Sequence, residues 1–208
     1  MMAGAVRLEQ AVRAGARGED DAAMVAFLTA GFPTREAFAG LVAATAAEAD
    51  VVEIGVPFTD PMADGVTIQN ASRIALEQGA NLAWIIESLA ALEPAPRAPL
   101  VLMSYLNPLL AYGFDELAAD AARAGVAGMI APDLPLEEAA PLRDALDREG
   151  LALVMLVTPV TPAGRRAALT ASSRGFVYAV TTTGTTGGEQ LGGGSGTTRY
   201  PDELRPDA

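Results

Sequence analysis

The chain is 208 residues long, 50% of its residues are hydrophobic, 19% are charged, and its formal net charge is −12. All 14 basic residues are arginines, and the absence of lysine, histidine and cysteine excludes disulfides, thiolate nucleophiles, Ser-His-Asp triads, the usual zinc sites and lysine Schiff bases. The negative charge argues against a nucleic-acid partner, and no apolar run reaches the roughly 20 residues that a membrane span requires.

The N-terminal stretch VRLEQAVRAGARG is rich in arginine and could be mistaken for a transit peptide. Leu8, Ala11 and Val12 fall at helical spacing within it. We therefore predict a short amphipathic helix that covers the body of the protein.

Short apolar runs rich in Val, Leu and Ile then alternate with Ala-rich stretches of helical period. The predicted strands are MVAFLTAG (24–31), ADVVEIGVP (49–57), PLVLMSYLN (99–107), VAGMIAPDL (126–134), LALVMLVTP (151–159) and GFVYAVTTT (175–183). The predicted helices lie near 35–48, 67–79, 82–93, 114–124, 136–148 and 162–172. Strands that are apolar on both faces and alternate with helices indicate a parallel sheet covered by helices.

Two architectures fit this alternation, a doubly wound open sheet and a (β/α)8 barrel. A dinucleotide-binding sheet would carry G-x-G-x-x-G after its first strand, whereas the turn after Gly31 reads FPTRE. Polar, proline-bearing segments follow several strands, namely TAGFP, GVPFTDP, SYLNP, APDLP and VTPVTP. Barrel enzymes build their sites from such loops, so the pattern favours an α/β fold of the (β/α)8 TIM-barrel type, with about six βα units present.

The segment GEQLGGGSGTTRYPDELRPDA, residues 188–208, has clustered Gly and Thr and almost no apolar pattern. We expect it to be irregular, because it cannot bury enough surface to offset its ordering entropy. The chain is therefore divided into an incomplete barrel domain, residues 1–187, and an irregular tail, residues 188–208. The Arg-only, Ala-rich composition suggests a GC-rich coding sequence, and we expect the tail to reflect a frameshift or a truncated reading frame.

The stretch EIGVPFTDPMADGVTIQNAS places Glu53 in an apolar strand and Asp64 in the loop that follows. It resembles the second strand and its loop in the tryptophan synthase alpha subunit family. The resemblance continues in order through AFLTAGFP, SYLNPLLAYG, APDLPLEEA, VTPVTP and VYAVTTTGTTG, and it covers Leu8 to Gly187. The sequence departs from the family at Val66, where proline is usual, and nothing in it resembles the seventh and eighth strands that supply most of the family's phosphate site.

The resemblance implies a barrel that cleaves indole-3-glycerol phosphate to indole and glyceraldehyde 3-phosphate, a retro-aldol reaction of tryptophan biosynthesis. It also implies a cytoplasmic alpha chain without a cofactor, working in an α2β2 heterotetramer with a beta subunit that holds pyridoxal phosphate. Such a cleavage without lysine or zinc must rely on acid–base groups, in agreement with the composition. Because the phosphate site is unmatched, we expect this chain alone to be weakly active or inactive.

The two acidic residues of the motif take the catalytic roles by resemblance: Glu53 would protonate indole C3, and Asp64 would accept the indole N–H. A strand-end position would partly desolvate Glu53 and raise its pKa, which keeps the protonated form accessible near neutrality. The alternative for Glu53 is a structural salt bridge to an arginine. The alternative for Asp60 and Asp64 is turn formation in D-P and D-G steps.

Five further residues match the substrate site of the family: Phe27, Met103, Tyr178, Thr186 and Gly187. By resemblance Phe27 and Met103 line the indole pocket and Tyr178 lies near the glycerol chain, although apolar strand residues and tyrosines are also common core residues. Thr186 would belong to a mobile loop that covers the substrate, and Gly187 would offer its N–H to the phosphate; a solvated loop is the alternative. Asp133 would lie near the site or cap the helix after it.

The loops after strands two and three form the surface that this family presents to its beta subunit. The matching residues are Pro57, Asp60, Pro61, Asn107 and Pro108. A chain that kept this surface without turnover would be a non-catalytic partner of the beta subunit, which is our alternative function. A third possibility, another phosphate-binding barrel such as an isomerase, has no motif support.

Overall fold

The computed structural model describes residues 3–16, 21–62 and 64–180. Within them, the strands are β1 (Val25–Thr29), β2 (Val51–Gly55), β3 (Leu100–Met103), β4 (Val126–Ile130), β5 (Ala152–Val157) and β6 (Val177–Ala179). The helices are α1 (Gly4–Gly15), α2 (Phe38–Glu48), α3 (Val66–Glu77), α4 (Leu82–Ala90), α5 (Leu106–Tyr112), α6 (Phe114–Arg123), α7 (Ala140–Arg148) and α8 (Ala163–Ser172). Each predicted strand is present, and β1 to β5 are shorter than predicted because loop residues, or after β3 a helix, replace their predicted carboxyl ends.

The six strands form one sheet in the order β1-β2-β3-β4-β5-β6, and every neighbouring pair is parallel. A doubly wound sheet reverses its strand order at a switch point, whereas a barrel wall adds each new strand next to the previous one. The strand order is therefore that of a barrel, and the doubly wound alternative is wrong. The predicted strand residues 181–183 and the tail 188–208 lie outside the described residues.

The central strands β2 to β5 are buried on both faces, and their successive side chains point alternately to the helices and to the interior, whereas β1 and β6 are partly exposed. On the helix-covered face, Val52 and Ile54 belong to a large apolar core with residues of the surrounding helices. On the inner face, a second cluster contains Val51, Val101 and Val154. The continuous apolar runs of the sequence follow from this two-sided burial.

Helix α1 closes the amino end of the sheet; the sequence predicted an amphipathic helix that covers the body of the protein, but not where it lies. Leu8 is fully buried and packs in the inner cluster. Gly175 lies directly beneath it in a positive-φ conformation of +80°, and a Cβ there would come within 2.7 Å of a Leu8 methyl carbon. The glycine before β6 therefore allows the helix to approach the sheet closely.

Two local predictions were wrong, and both concern the start of a helix that has a proline in its first turn. The stretch SYLNPLLAYG was predicted as strand to residue 107, but β3 ends at Met103 and α5 begins at Leu106. Pro108 lies in the first turn of α5, where its missing N–H has no helical partner to lose. The helix predicted over 136–148 is a 3-10 turn, Leu136–Glu138, followed by α7 with Pro141 in its first turn.

Among the described residues, none of the helices combines the length and the apolar character needed to cross a bilayer.

Candidate active site

A cavity of about 660 Å³ lies at the carboxyl ends of the strands. Its wall is largely apolar, with Phe27 from β1, Met103 from β3 and Leu156 from β5. It also contains the only buried polar or charged side chains among the described residues: Thr29, Glu53, Ser72 and Ser104. The polar groups that the core otherwise excludes are thus gathered in one place, which is the pattern of a functional site.

Glu53 points into this cavity because its strand neighbours Val52 and Ile54 face the helices. Its side chain is only 4% exposed, and no hydrogen bond or ion pair reaches its carboxyl from the other described residues. Burial, followed by the nearby negative charge of Asp64, raises the pKa of Glu53 from 4.5 to about 7. The arginine salt bridge considered from the sequence is therefore not formed in the described structure.

Asp64 faces the same cavity from the loop between β2 and α3. Its backbone is held on both sides, since its N–H donates to the Pro61 carbonyl at 3.1 Å and its carbonyl accepts from the Gln69 side-chain amide at 2.9 Å. Burial raises the pKa of Asp64, and a hydrogen bond from the Tyr105 side chain opposes that change. The D-G step does make a turn, but the turn also delivers a carboxyl to the site.

Tyr178 reaches the cavity from β6 and lies near both acids. Burial raises the pKa of its phenol, and the charges of Glu53 and Asp64 raise it further. The phenol therefore stays protonated near neutral pH and can donate a hydrogen bond to a ligand. Its position in the cavity wall distinguishes it from a plain core tyrosine.

The aromatic wall of the cavity depends on a glycine in the neighbouring strand. Phe27 is 37% exposed, so its ring borders the cavity instead of filling the core. A Cβ at Gly55 would lie 2.5 Å from the Phe27 Cζ atom, which shows that the ring occupies the space left by the missing side chain. Phe27 and Met103 are thus placed as the resemblance implied, and their contact with indole stays a prediction.

Sequence reasoning missed four polar cavity residues: Thr29, Ser72, Ser104 and Tyr105. Thr29 and Ser104 stand at the carboxyl ends of predicted strands, a signal that could have identified them. Ser72 carried no such signal, because it lies in the second turn of α3, where a serine is normally solvated. Tyr105 stacks on Phe58 with ring centroids 4.9 Å apart, a contact between two separate loops.

Asp133 is not among the cavity-lining residues. Its Oδ1 accepts the N–H of Leu106, the first residue of α5, at 2.9 Å. Asp133 therefore caps a helix that precedes it in the chain, and the prediction that it caps the following helix was wrong. The sequence could not suggest this partner, because α5 itself was not predicted.

The residues predicted at the subunit interface differ in exposure. Asp60 and Asn107 are exposed, Pro61 and Pro108 are partly exposed, and Pro57 is buried. Pro57 thus offers no surface in this structure, while the other four remain candidates.

Thr186 and Gly187 lie outside the described residues, so their roles remain predictions. Within the described part of the chain, no group of three acidic side chains is arranged to hold a metal ion.

A parallel sheet in barrel order, with two carboxyls and a tyrosine at the carboxyl ends of its strands, defines an acid–base enzyme of the (β/α)8 class. Comparison with known proteins identifies the family. The sequence profile described as "Tryptophan synthase alpha chain" matches residues 14–192. The tryptophan synthase alpha chain of Nitratidesulfovibrio vulgaris strain DP4 is 51% identical over 184 residues, which cover 88% of this chain and 71% of that protein.

Solved structures agree with the sequence comparison. The crystal structure of tryptophan synthase subunit alpha from Legionella pneumophila str. Paris matches with a TM-score of 0.77 and 32% identity, covering 86% of this chain and 68% of that one. A structure of Mycobacterium tuberculosis tryptophan synthase matches with a TM-score of 0.77 and 36% identity, covering 90% and 71%. The chain belongs to the tryptophan synthase alpha chain family, the lyases of tryptophan biosynthesis, and the predicted TIM-barrel fold class is confirmed.

Proposed function

We propose that this chain cleaves indole-3-glycerol phosphate to indole and glyceraldehyde 3-phosphate by acid–base retro-aldol chemistry. The observation that carries the proposal is the buried Glu53 carboxyl, with its pKa raised to about 7, in one cavity with Asp64. An acid with a pKa near neutrality has both its protonated and ionised forms available at working pH. The apolar wall around it suits a flat heteroaromatic ring.

Glu53 can supply both proton transfers that this cleavage requires. Protonated Glu53 gives its proton to indole C3, and the bond between C3 and the hydroxyl-bearing carbon then breaks. That carbon becomes an aldehyde when its hydroxyl loses a proton, which the Glu53 carboxylate can accept. The net change is the transfer of one proton from the hydroxyl to C3, so the enzyme group ends in its starting form.

Asp64 has a different role because its surroundings differ from those of Glu53. Its side chain is more exposed than that of Glu53, and the hydrogen bond from Tyr105 favours its ionised form. A carboxylate there can accept the indole N–H and stabilise the positive charge that develops when C3 is protonated. Two carboxyls in different surroundings can divide the work between an acid and an electrostatic partner.

The test is indole release from indole-3-glycerol phosphate, measured under single-turnover conditions with the whole chain in excess. Glu53→Gln removes the proton donor while keeping its shape, and we expect the cleavage rate to fall about 10²- to 10⁴-fold with substrate affinity nearly unchanged. Glu149→Gln, which changes an exposed glutamate at the end of α7, is the matched control and leaves the rate unaltered. Because nothing in the sequence resembles the strands that supply most of the family's phosphate site, we expect a slow rate for the parent chain. A Glu53→Gln variant that keeps most of that rate contradicts the role of Glu53, and a folded parent that releases no indole at all favours the non-catalytic alternative.

We further propose that the chain binds a tryptophan synthase beta subunit, which would hold the pyridoxal phosphate, through the loops after β2 and β3. The proposal is supported by the name "alpha chain" of its relatives and by two exposed apolar side chains on this surface. Met62, beside Asp60 and Pro61, is 86% exposed, and Leu110 on α5 is 54% exposed. Large apolar side chains grouped with polar neighbours are typical of docking surfaces.

Titration calorimetry with a beta subunit tests this surface. Met62→Asp and Leu110→Asp should each weaken binding at least tenfold, since a charge would be buried at the contact. Val6→Asp is the control, because Val6 is 42% exposed on α1 at the opposite end of the sheet. Stimulation of the beta subunit without any indole release would favour the alternative function, a partner without turnover.

A further inference from the structure

Two buried hydroxyl groups in the cavity have no part in the proton transfers described above. Thr29 is 9% exposed and Ser72 is 4% exposed, and both line the cavity that holds Glu53. Within the described residues, neither side-chain hydroxyl has a hydrogen-bond partner. Both side chains are largely buried, but their hydroxyl oxygens are not fully enclosed: each opens to the cavity, where a ligand or water can satisfy it.

The two hydroxyls approach the cavity from adjoining elements. Thr29 faces inward because its neighbour Leu28 packs against the helix-side core. Ser72 lies one turn after Ile68 on α3, and both of these residues line the cavity. Helix α3 packs against β1, which brings Ser72 to the side of the cavity where Thr29 lies.

Thr29 lies close to Glu53 across the pair of strands β1 and β2. Thr29 pairs in register with Gly55, which stands two residues after Glu53 on β2 and on the same face. Thr29, Ser72 and Glu53 all line the same cavity, so a ligand inside it can contact the two hydroxyls while its reacting atoms meet the Glu53 carboxyl.

Ser104 provides an internal comparison. It lines the same cavity and is 2% exposed, but its hydroxyl donates to the Tyr105 carbonyl at 3.0 Å. The fold itself thus satisfies Ser104 and leaves Thr29 and Ser72 open to the cavity. The difference leaves the hydroxyls of Thr29 and Ser72 available to a ligand in the cavity.

We propose that Thr29 and Ser72 bind the hydroxyl on the substrate carbon that is attached to the aromatic ring, so that they select a hydroxylated side chain over a plain alkyl one. This inference rests on the proposed function and specifies how its substrate is recognised. The ligand hydroxyl can accept a hydrogen bond from each of the two protein hydroxyls, while its own hydrogen remains free to pass to the Glu53 carboxylate. An alkyl chain would leave both protein hydroxyls buried without partners, which is the mechanism by which polar sites reject apolar analogues.

The experiment compares two ligands in a Glu53→Gln background, where the substrate is not consumed. Dissociation constants are measured by calorimetry for indole-3-glycerol phosphate and for indole-3-propanol phosphate, which keeps the ring, chain and phosphate but lacks both secondary hydroxyls. Thr29→Val and Ser72→Ala should each weaken the first ligand about 3- to 10-fold and the second less than twofold. Ser104→Ala, the matched control, should leave the ratio of the two constants within twofold of the parent.

Other outcomes overturn the inference in distinguishable ways. Equal weakening of both ligands means that the two hydroxyls only support the shape of the cavity. No change for either ligand means that they hold a water molecule only. If the folded Glu53→Gln parent binds neither ligand, the proposed function fails as well; if it binds both and the ratio does not move, only this inference fails.

Discussion

Replacing Glu53 with glutamine should stabilise the protein at high pH, because the buried acid is held at a cost to the fold. Glu53 has an ordinary pKa of 4.5 and a folded-state pKa of about 7. At about 1.4 kcal/mol for each pH unit between these two values, ionising Glu53 in the folded state costs about 3 kcal/mol. Glutamine has nearly the same shape and carries no charge at any pH, so it avoids this cost.

The direction of the pH dependence follows from proton binding. Below pH 4.5 both the folded and unfolded forms hold the proton, and the glutamate has no penalty. Between pH 4.5 and about 7 the unfolded chain releases its proton while the folded protein keeps it, so the stability of the wild-type chain falls as pH rises. Above about pH 7 both forms are ionised and the penalty stays constant.

Urea unfolding of the two chains at about pH 5.5 and pH 8.5 measures the effect. The stability advantage of Glu53→Gln should grow by about 2 kcal/mol between these conditions, as calculated from the two pKa values. Glu149→Gln controls for the change in net charge, and its advantage should change by less than about 0.5 kcal/mol. An advantage for Glu53→Gln that is the same at both pH values would refute the argument that burial raises the pKa of this carboxyl.

Two further substitutions test how the rest of the fold supports the site. Leu8→Ala should lower the free energy of unfolding by about 2–5 kcal/mol in a urea titration, because Leu8 is fully buried between α1 and the sheet. The control Val6→Ala, on the exposed face of α1, should cost under about 0.5 kcal/mol. Equal losses for the two variants would contradict the closing role of α1. Asp133→Ala should lower the free energy of unfolding by about 1 kcal/mol, because it removes the acceptor for the first N–H of α5. Asp133→Asn keeps an acceptor oxygen and should recover at least half of that loss. An Asn variant as unstable as the Ala variant would exclude the cap.

The strands and their order could be predicted because each carries a local pattern. Apolar runs such as VVEIG mark strands buried on both faces, and the helical stretches between them require parallel pairing. A single charge in such a run drew attention to Glu53, but a structural salt bridge was an open alternative, and its catalytic role came from the resemblance of the motif EIGVPFTDPMADG to the family. The stretch SYLNPLLAYG failed because a short apolar run is ambiguous between strand and helix, and the contact from Asp133 that caps α5 comes from 27 residues away.

By itself, then, the amino-acid sequence determined the alternation of strands and helices, the carboxyl end of the sheet as the place for a site, and the two acids that the site contains. Those features depend on periodicity and motif, which neighbouring residues encode. Only the tertiary structure decided which other groups surround the acids: the hydroxyl of Ser72 from a helix, the ring of Phe27 over Gly55, and the burial of Pro57. It also decided the pKa of Glu53, because removal of water from a carboxyl depends on packing by segments far apart in the chain.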